Sequence, residues 1–412
     1  MGASPSDEHD LTLPSAAMGE AGPVVQRLNQ LLHDAVRRRA SDVHLDPEED
    51  GSVRVRLRVD GVLHDADRLP GELAPGVVSR IKILSALDLG EKRLPQDGRI
   101  RLKLGDRDLD LRVSLVPTVF GERVVMRILE RAQIAFDLHR LGLVGEALAT
   151  VRELAALPAG LVVVNGPTGS GKTTVLYSML HAIDRKRRSV LSVEDPIEYH
   201  LDDVSQIQVD ARRGLTFTRA LRHLMRQDPD VIMIGEVRDL STLQGAVTAA
   251  TTGHLVLTTL HANTSPGAVK RMLDMGLEPY LLNGALAGVV SLRLARKLCP
   301  ECRQPVDPDL TAVPPEGIEA IEALHEATFY GPQGCERCGG TGYRGRTGVF
   351  EVLRPDDRLR RTLLGPADLE TLRTAALAAG MEPMLAYGIR AAARGITSVQ
   401  EVCHVVPRGP NV

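Results

Sequence analysis

A glycine-rich segment in the middle of the chain has the residue pattern of a phosphate-binding loop. It reads G-P-T-G-S-G-K-T from Gly166 to Thr173, which matches G-x-x-x-x-G-K-[ST]. Its glycines allow backbone N–H groups to surround a phosphate, and the helix expected next adds partial positive charge. Lys172 should reach the β- and γ-phosphates, and the Thr173 hydroxyl should bind Mg²⁺. The predicted nucleotide-binding residues are Gly166, Pro167, Thr168, Gly169, Ser170, Gly171, Lys172, Thr173 and Thr174.

Two carboxylates follow apolar runs that should be strands, and the run before Glu236 is expected to form the strand adjacent to that of the phosphate loop. Glu236 comes shortly after the run 231–234, where a nucleotidase holds Mg²⁺ or orients water, although an ordinary exposed glutamate is the alternative. Glu194 follows the run 189–193 and could act as general base on the attacking water. The adjacent Asp195 fits the role of a turn cap equally well.

Two histidines flank another apolar run. His254 precedes the run 255–260 and His261 follows it. A histidine beside a core strand is usually structural, but a pair near a phosphate site could sense the γ-phosphate. The spacing leaves both interpretations open.

Four of the five cysteines form two Cys-x-x-Cys pairs. Two such pairs offer four thiolates to one tetrahedral ion, which predicts a structural zinc site at Cys299, Cys302, Cys335 and Cys338. The loop between the pairs should carry a small helix near 318–325. Four unrelated reduced cysteines are the alternative, and the fifth cysteine is expected to be buried and inert.

The candidate phosphate loop and acids need a sheet that brings them to one edge. Short, continuously apolar runs occur at 161–164, 189–193, 231–234 and 255–260, and helical stretches separate them. Such runs are typical of strands buried on both faces of a sheet. The pattern predicts an α/β domain with a largely parallel sheet.

The upstream part of the chain has a different pattern. Residues 53–59 alternate strictly between apolar residues and arginine, and Asp60-Gly61 then supplies a hairpin turn. Further alternating runs and a helical pattern indicate an α+β domain. The predicted divisions are a flexible tail at 1–22, an N-terminal α+β domain at 23–132, a linker at 133–145, a nucleotide-binding core at 146–298, a cysteine subdomain at 299–340 and a C-terminal helical region at 341–412.

Composition restricts the classes of function. The formal net charge of −3 and an aromatic content of 3% without tryptophan argue against direct contact with nucleic acid. The sequence shows neither a secretory signal nor an apolar stretch approaching the roughly 20 residues of a membrane span, which predicts a soluble protein. Cysteines in metal-binding spacing favour a reducing cytosol.

In combination these motifs resemble those of the type II secretion and type IV pilus assembly ATPases. The core segments that carry the resemblance are 166–177, 193–199, 221–239 and 252–261. The cysteine pairs and the segment 339–351 resemble the secretion and pilus-assembly branch, because pilus retraction ATPases lack that insert. Upstream, similar motifs occur at 40–45, 58–61 and 94–99, so that the resemblance covers about residues 23–405.

The resemblance implies a RecA-like P-loop NTPase domain, an N-terminal α+β (PAS-like) domain and a small Cys₄ zinc subdomain. It further implies a cytoplasmic homo-hexamer, peripheral to the inner face of the bacterial membrane, that hydrolyses ATP with Mg²⁺. Its first domain would pack against the nucleotide site, and closure would transmit force to an inner-membrane platform protein. A cytoplasmic docking protein would recruit it, although the N-terminal tail is too short for the extra domain that many relatives use.

The resemblance also assigns the catalytic residues. Arginines on strands of the first domain and on a core helix are expected to contact phosphate, and the two histidines match the family's histidine box. The implied catalytic residues are Glu194, Glu236, Lys172, Arg99, Arg112, Arg222, Arg226, His254 and His261.

The sequence leaves other functions open. The same motor could serve a competence, DNA-uptake or conjugative DNA-transfer apparatus instead of a secretion pseudopilus or pilus. A nucleotide-gated scaffold without useful turnover is a third reading, and it would require the arginines and Glu194 to be misplaced.

Overall fold

The computed structural model describes residues 11–13, 22–104, 107–130, 136–365 and 368–407. The chain divides into two compact units, one ending at Ile134 and the other beginning at Ala135. Most of the predicted tail and the first residues of the predicted linker lie outside the described residues. Within those described ranges, no helix has both the length and the hydropathy needed to cross a bilayer.

The first unit is an α+β structure. The alternation predicted for 53–59 is present, since Val53, Val55 and Leu57 are buried and Arg54 is exposed. Asp60 and Gly61 form the turn, with φ values of 49° and 88°. Its elements are β1 (Leu11–Leu13), α1 (Pro23–Arg37), β2 (Ala40–Pro47), β3 (Val53–Val59), β4 (Val62–Leu69), α2 (Ala74–Leu84), β5 (Gln96–Leu104), β6 (Arg107–Thr118) and β7 (Gly121–Glu130).

The strands of this unit form one sheet in the order β1-β5-β6-β7-β2-β3-β4. Strand β1 runs parallel to β5, and the other neighbours are antiparallel. Leu28 and Leu32 of α1 and Val77 and Ile81 of α2 belong to the same buried cluster as the inward-facing strand residues. The opposite face of the sheet carries the polar residues that alternate with the buried apolar residues along the strands.

The second unit alternates strands and helices, as predicted. Its strands are β8 (Gly160–Asn165), β9 (Val190–Glu194), β10 (Ser205–Gln208), β11 (Val231–Ile234), β12 (Leu255–Leu260), β13 (Leu286–Leu298), β14 (Gln304–Pro305), β15 (Tyr330–Gly331) and β16 (Tyr343–Leu353). Its helices are α3 (Gly145–Ala156), α4 (Lys172–Ala182), α5 (Phe217–Leu224), α6 (Leu240–Thr251), α7 (Ser265–Asp274), α8 (Pro279–Ala285), α9 (Pro315–Glu322), α10 (Asp357–Leu363), α11 (Leu369–Ala378), α12 (Met384–Ala393) and α13 (Val399–Val405).

A seven-stranded sheet in the order β10-β9-β11-β12-β8-β13-β16 forms the centre of this unit. Its neighbours are parallel except for the antiparallel pair of β13 and β16. The expected adjacency of β11, the strand before Glu236, to the phosphate-loop strand β8 is wrong, because β12 pairs with both and lies between them. Val162 and Val164 pack in one core cluster, whereas Leu161 and Val163 pack in another. Both faces of the sheet are therefore covered, which explains why its strands read as continuously apolar runs.

The C-terminal segment differs from its prediction as a helical region. Residues 341–412 begin with the long strand β16, and the helices α10 to α13 follow only from Asp357 onward. Val349 and Phe350 of β16 are buried, and the strand pairs with β13 from Val289 to Leu298. Burial against the central sheet therefore determines the conformation of this segment.

Strand direction decides which loops meet. Val163 is in register with Thr258, Thr258 with Ile234, and Ile234 with Val193. Because these four strands are parallel, the segments that follow them share one edge, which we call the carboxyl edge. The segments that precede them share the opposite, amino edge.

Candidate nucleotide and metal sites

The glycine-rich loop lies at the carboxyl edge, between the end of β8 and the first residue of α4. Gly169 and Gly171 have φ values of 77° and 94°, in the left-handed region that favours glycine. A Cβ on Gly166 would lie 2.6 Å from Ser170 Oγ and 2.7 Å from the carbonyl oxygen of Leu292. Ser170 Oγ is buried and has no hydrogen-bond partner among the described residues. This close backbone approach and the unsatisfied hydroxyl fit a bound phosphate.

The remaining loop residues surround this position. Pro167 and Thr168 are exposed, whereas Thr173 and Thr174 are half-buried in the first turn of α4. At the start of a helix, the Thr173 hydroxyl has the position expected of a ligand to a nucleotide-bound Mg²⁺.

Lys172 is turned back onto its own loop. Its Nζ donates to the carbonyl oxygens of Gly166 at 2.9 Å and Pro167 at 3.0 Å. The pKa of Lys172 is lowered to about 8, mainly by burial. The negative charge of Glu236 raises this pKa, and the positive charge of Arg293 lowers it further. A triphosphate would supply the negative charge that this buried ammonium needs to stay protonated.

The structure brings Lys172, His261 and Glu236 together. His261 Nδ1 lies 3.5 Å from Lys172 Nζ, and His261 Nε2 lies 3.0 Å from Glu236 Oε1. Arg238 Nε donates to the other carboxylate oxygen of Glu236 at 2.8 Å. A continuous chain of polar side chains thus runs from the phosphate loop across the carboxyl edge. Its members could include both a ligand to a metal ion, at Glu236, and a sensor of the γ-phosphate, at His261.

Glu194 is also at this edge but in a different environment. Its side chain is only 2% exposed. It accepts hydrogen bonds from the Tyr177 hydroxyl, from Ser192 Oγ at 2.6 Å and from Gln206 Nε2 at 2.9 Å. These three donors were missed from the sequence because they come from α4, β9 and β10, and no local pattern connects them.

The structure does not bring His254 together with the loop. His254 precedes β12 and therefore lies at the amino edge, where its Nδ1 is 2.9 Å from the carbonyl oxygen of Ala249. A strand of six residues spans roughly 20 Å, which separates His254 from His261. Strand direction, which spacing alone does not show, distinguishes the two histidines.

Arg222 and Arg226 are exposed, and neither forms an ion pair with another described residue. Arg222 lies on α5. Arg226, predicted on the same helix, lies in the turn beyond it, because α5 ends at Leu224. Among the described residues, therefore, no ion pair holds either guanidinium against the phosphate loop.

In the first unit, Arg99 and Arg112 lie directly opposite each other on β5 and β6, and Arg127 of β7 lies opposite Arg112. We call these three residues the arginine row. Arg127 Nε donates to Asp42 Oδ1 at 2.9 Å, and Arg99 Nε is 3.1 Å from Asp110 Oδ1. Arg112 Nη2 is buried without a hydrogen-bond partner in the part of the unit that the structure describes.

Asp110 and Asp42 offset the charges of Arg99 and Arg127, so Arg112, whose Nη2 has no partner among the described residues, is the member of the row best able to receive an anion. Sequence reasoning missed Arg127, although its place in an alternating run next to that of Arg112 was a usable signal. Arg127 is therefore a candidate phosphate contact in addition to Arg99 and Arg112, the two that the sequence predicted.

A buried network of hydrogen bonds connects the residue before the phosphate loop to neighbouring segments. Asn165, the residue before Gly166, donates to the carbonyl oxygen of Thr264 and to Ser291 Oγ, both at 3.0 Å. Its Oδ1 accepts from the backbone N–H of Ala262 at 2.6 Å. These bonds join the start of the phosphate loop to the segment that follows His261. An isolated asparagine at the end of an apolar run gave no signal of this role in the sequence.

The four paired cysteines meet in space, and their Sγ atoms all lie within 4.8 Å of one another. The Sγ distances are 3.9 Å for Cys299–Cys335 and for Cys302–Cys338, and 3.7 Å for Cys335–Cys338. A tetrahedral zinc with Zn–S bonds of about 2.3 Å places its sulfurs about 3.8 Å apart. The cluster therefore fits one zinc ion, between the end of β13 and the start of β16.

The thiols of this cluster differ in acidity. Burial raises the pKa of Cys302 to about 11. Burial opposes ionisation of Cys338 too, but the backbone N–H groups of Cys335 and Gly342 lower its pKa to about 6. Cys338 is therefore a more acidic thiol than Cys302.

Comparisons with known proteins agree with this geometry. Residues 17–404 match the family model described as type II/IV secretion system protein. The type II secretion system protein E of Klebsiella pneumoniae is 45% identical over 397 residues, which are 93% of this chain and 76% of that protein. The type IV pilus assembly ATPase PilB of Myxococcus xanthus is 43% identical over 394 residues, 94% and 68% of the two chains.

Among solved structures, the Legionella pneumophila ATPase DotB is similar, with a TM-score of 0.67 and 19% identity over 95% of this chain and 98% of that one. At this identity the likeness concerns the fold, and it confirms the predicted RecA-like architecture.

Proposed function

The chain belongs to the family of type II/IV secretion system proteins, as an ATPase of that family, and on this premise we propose that it is a hexameric motor. It hydrolyses ATP with Mg²⁺ to drive assembly of a type II secretion pseudopilus or a type IV pilus. The observation that carries this proposal is the polar chain at the carboxyl edge. There His261 lies within hydrogen-bonding reach of both Lys172 and Glu236, beside a phosphate-binding loop.

Each residue at this edge has a distinct task in the proposed reaction. The loop amides and the Lys172 ammonium bind the phosphates, while Thr173 and Glu236 hold Mg²⁺. The ion, when bound, neutralises charge on the phosphoryl oxygens. His261 orients Glu236 and places a polar group beside Lys172. Glu194 accepts the proton of the attacking water.

We also propose that the arginines neutralise phosphoryl charge in the assembled hexamer. Arg222 and Arg226 are exposed and without ion pairs among the described residues, so they are available to a neighbouring copy. Arg99, Arg112 and the additional Arg127 form a cationic row that favours an anion. Such contacts contribute roughly 10³-fold or more in finger-type enzymes.

The cysteine cluster has a structural role in this proposal. Four thiolates complete the coordination of Zn²⁺ and leave no open position for catalysis. In the cell the hexamer is peripheral to the inner face of the cytoplasmic membrane, bound to a platform protein and a docking protein of the machine. Names of the relatives, which are components of secretion and pilus machines, support this assignment.

Steady-state phosphate release by the purified, metal-replete chain tests the proposal. Lys172→Ala should lower ATP turnover at least roughly 10²-fold, because it removes a preorganised charge from the transferring phosphate. Glu236→Gln should bind ATP yet hydrolyse it slowly. Lys186→Ala, an exposed lysine away from the loop, is the matched control and should behave as the unmodified chain. Full turnover by Lys172→Ala would refute the motor assignment.

A further inference from the structure

We propose that Tyr177, Ser192 and Gln206 form a three-donor cradle that positions Glu194 and reserves one lone pair of its Oε2 atom for the proton of the attacking water. This inference rests on the proposed function, in which Glu194 is the base. It names three positioning residues, none of which would touch the nucleotide.

The hydrogen-bond count identifies the reacting oxygen. A carboxylate oxygen offers about two acceptor positions. Oε1 of Glu194 uses both, because Ser192 Oγ donates at 2.6 Å and Gln206 Nε2 at 2.9 Å. Oε2 accepts only the Tyr177 hydroxyl among the described residues. The remaining acceptor position is therefore on Oε2.

The orientation of each donor is determined by its own neighbours. Gln206 Oε1 accepts from the backbone N–H of Leu201 at 2.8 Å, and Gln206 Nε2 also donates to the carbonyl oxygen of Tyr199 at 3.0 Å. These two bonds require that the NH₂ group of Gln206 faces Glu194. Ser192 lies two residues before Glu194 on β9, so both side chains lie on the same face of the sheet.

Tyr177 is held as a donor by its surroundings. Burial and the negative charge of Glu194 raise the pKa of Tyr177, so its hydroxyl stays protonated. The backbone N–H groups of Tyr199 and Glu198 act on this pKa in the opposite direction, but the net shift is upward. The ring packs edge-on against Phe136, with centroids 5.5 Å apart. The hydroxyl hydrogen is donated to Glu194.

The elements around Glu194 contribute neutral groups to the cradle. Helix α4 contributes Tyr177, β9 contributes Ser192 and β10 contributes Gln206. Gly235, the residue after β11, has a Cβ position that would be 3.3 Å from Glu194 Cα. The carboxylate is thus stabilised by oriented dipoles. This differs from Glu236, which is paired with Arg238 and His261.

The proposed step is the attack of water on the γ-phosphate of ATP. The water oxygen forms a bond to the γ-phosphorus, and the bond from that phosphorus to the bridging oxygen of the ADP leaving group breaks with its electron pair. The water proton goes to Oε2 of Glu194, which later releases it to solvent. A base fixed by three donors needs no reorganisation when the water arrives.

The test compares kcat as a function of pH for four purified full-length variants with Mg²⁺ and ATP. In Tyr177→Phe the carboxylate loses a donor that stabilises its charged form, so the acid limb should move to higher pH by about one unit. The maximal kcat should fall about tenfold with KM unchanged. Gln206→Leu should shift the limb in the same direction, and it keeps the test valid if Tyr177→Phe does not fold.

Phe136→Leu is the matched control, because it alters packing around Tyr177 without touching the carboxylate. An equal shift in Phe136→Leu, or no shift in both Tyr177→Phe and Gln206→Leu, would overturn the cradle. Glu194→Gln distinguishes the role of Glu194 as base from the role of the three donors that position it. Full turnover by Glu194→Gln refutes Glu194 as base, whereas loss of turnover in Glu194→Gln with unshifted cradle variants refutes the cradle alone.

Discussion

The carboxyl edge of the central sheet and the cysteine cluster both assemble residues that are far apart in the sequence, but by different means. At the edge, parallel strands align their ends, and side chains such as His261 and Glu236 already satisfy one another. At the cluster, the two Cys-x-x-Cys segments place Cys299 beside Cys335 and Cys302 beside Cys338, so the sulfurs have one another as neighbours. The first site is organised by the strand topology, whereas the second presents four thiols that could hold one metal ion.

This difference predicts how each site responds to damage. Loss of a side chain at the edge should change nucleotide binding or turnover while the fold persists. Loss of the ion should instead loosen the ends of β13 and β16, the antiparallel pair beside β8. Four measurements, given from the largest expected effect to the smallest, test the contrast.

Removing the metal should have the largest effect on stability. Cys335→Ser with Cys338→Ser, or a strong zinc chelator, should lower the melting temperature by on the order of 10 °C, because thiolate–zinc binding contributes folding free energy. Calorimetry and metal analysis measure this. Cys403→Ala, outside the cluster, is the control. Less than one zinc per chain together with an unchanged melting temperature would contradict the metal assignment.

Asn165→Ala should test the network below the loop. It removes three hydrogen bonds of a buried amide and should cost about 3 kcal/mol in the free energy of unfolding, with weaker ATP binding. Asn283→Ala is a matched control, since Asn283 Oδ1 has no hydrogen-bond partner among the described residues. Equal losses in chemical denaturation would show that the network has no special role.

The two histidines offer a direct comparison of the two edges. His261→Ala should lower kcat roughly tenfold or more, since it breaks contacts to Glu236 and Lys172, each a charged group. His254→Ala should stay within about twofold of the unmodified chain, because hydrogen bonds between neutral groups contribute less. Steady-state ATP turnover decides the matter, and similar losses in both variants would overturn the distinction.

The smallest effect is a pH dependence of ATP affinity. The pKa of Lys172 is lowered to about 8, so its ammonium is present below that pH and is lost as pH rises. Between pH 7 and pH 9 the dissociation constant for ATP should rise about tenfold, and binding near pH 8 should take up protons. Calorimetric titration in buffers of different ionisation enthalpy measures both quantities. A constant affinity over this range would contradict the proposed role of the ammonium.

Much of the fold could be predicted because its signals are local. The loop from Gly166 to Thr173 is contiguous, and the apolar runs that became β8, β9, β11 and β12 are short and unbroken. The cysteine pairs were recognisable by spacing alone. Strand β16 was not predicted, because its pairing with β13 depends on contacts across the unit and not on a repeating pattern.

The parts of the site that could not be predicted depend on direction and distance. His254 and His261 have the same relation to β12 in sequence, and only the direction of the strand places one of them beside Lys172. Tyr177 and Gln206 meet at Glu194 from different elements. Such convergence has no periodicity, so a single sequence does not contain its signal.

The arginine row has a thermodynamic consequence for the first unit. Asp110 and Asp42 pair with Arg99 and Arg127, whereas Arg112 between them keeps a buried Nη2 without a hydrogen-bond partner among the described residues. A bound polyanion such as inorganic triphosphate would satisfy that guanidinium. By linkage, whatever binds the folded sheet more tightly than the unfolded chain also raises its resistance to heat. The melting temperature of this unit should therefore rise with polyphosphate concentration, as a readout of occupancy.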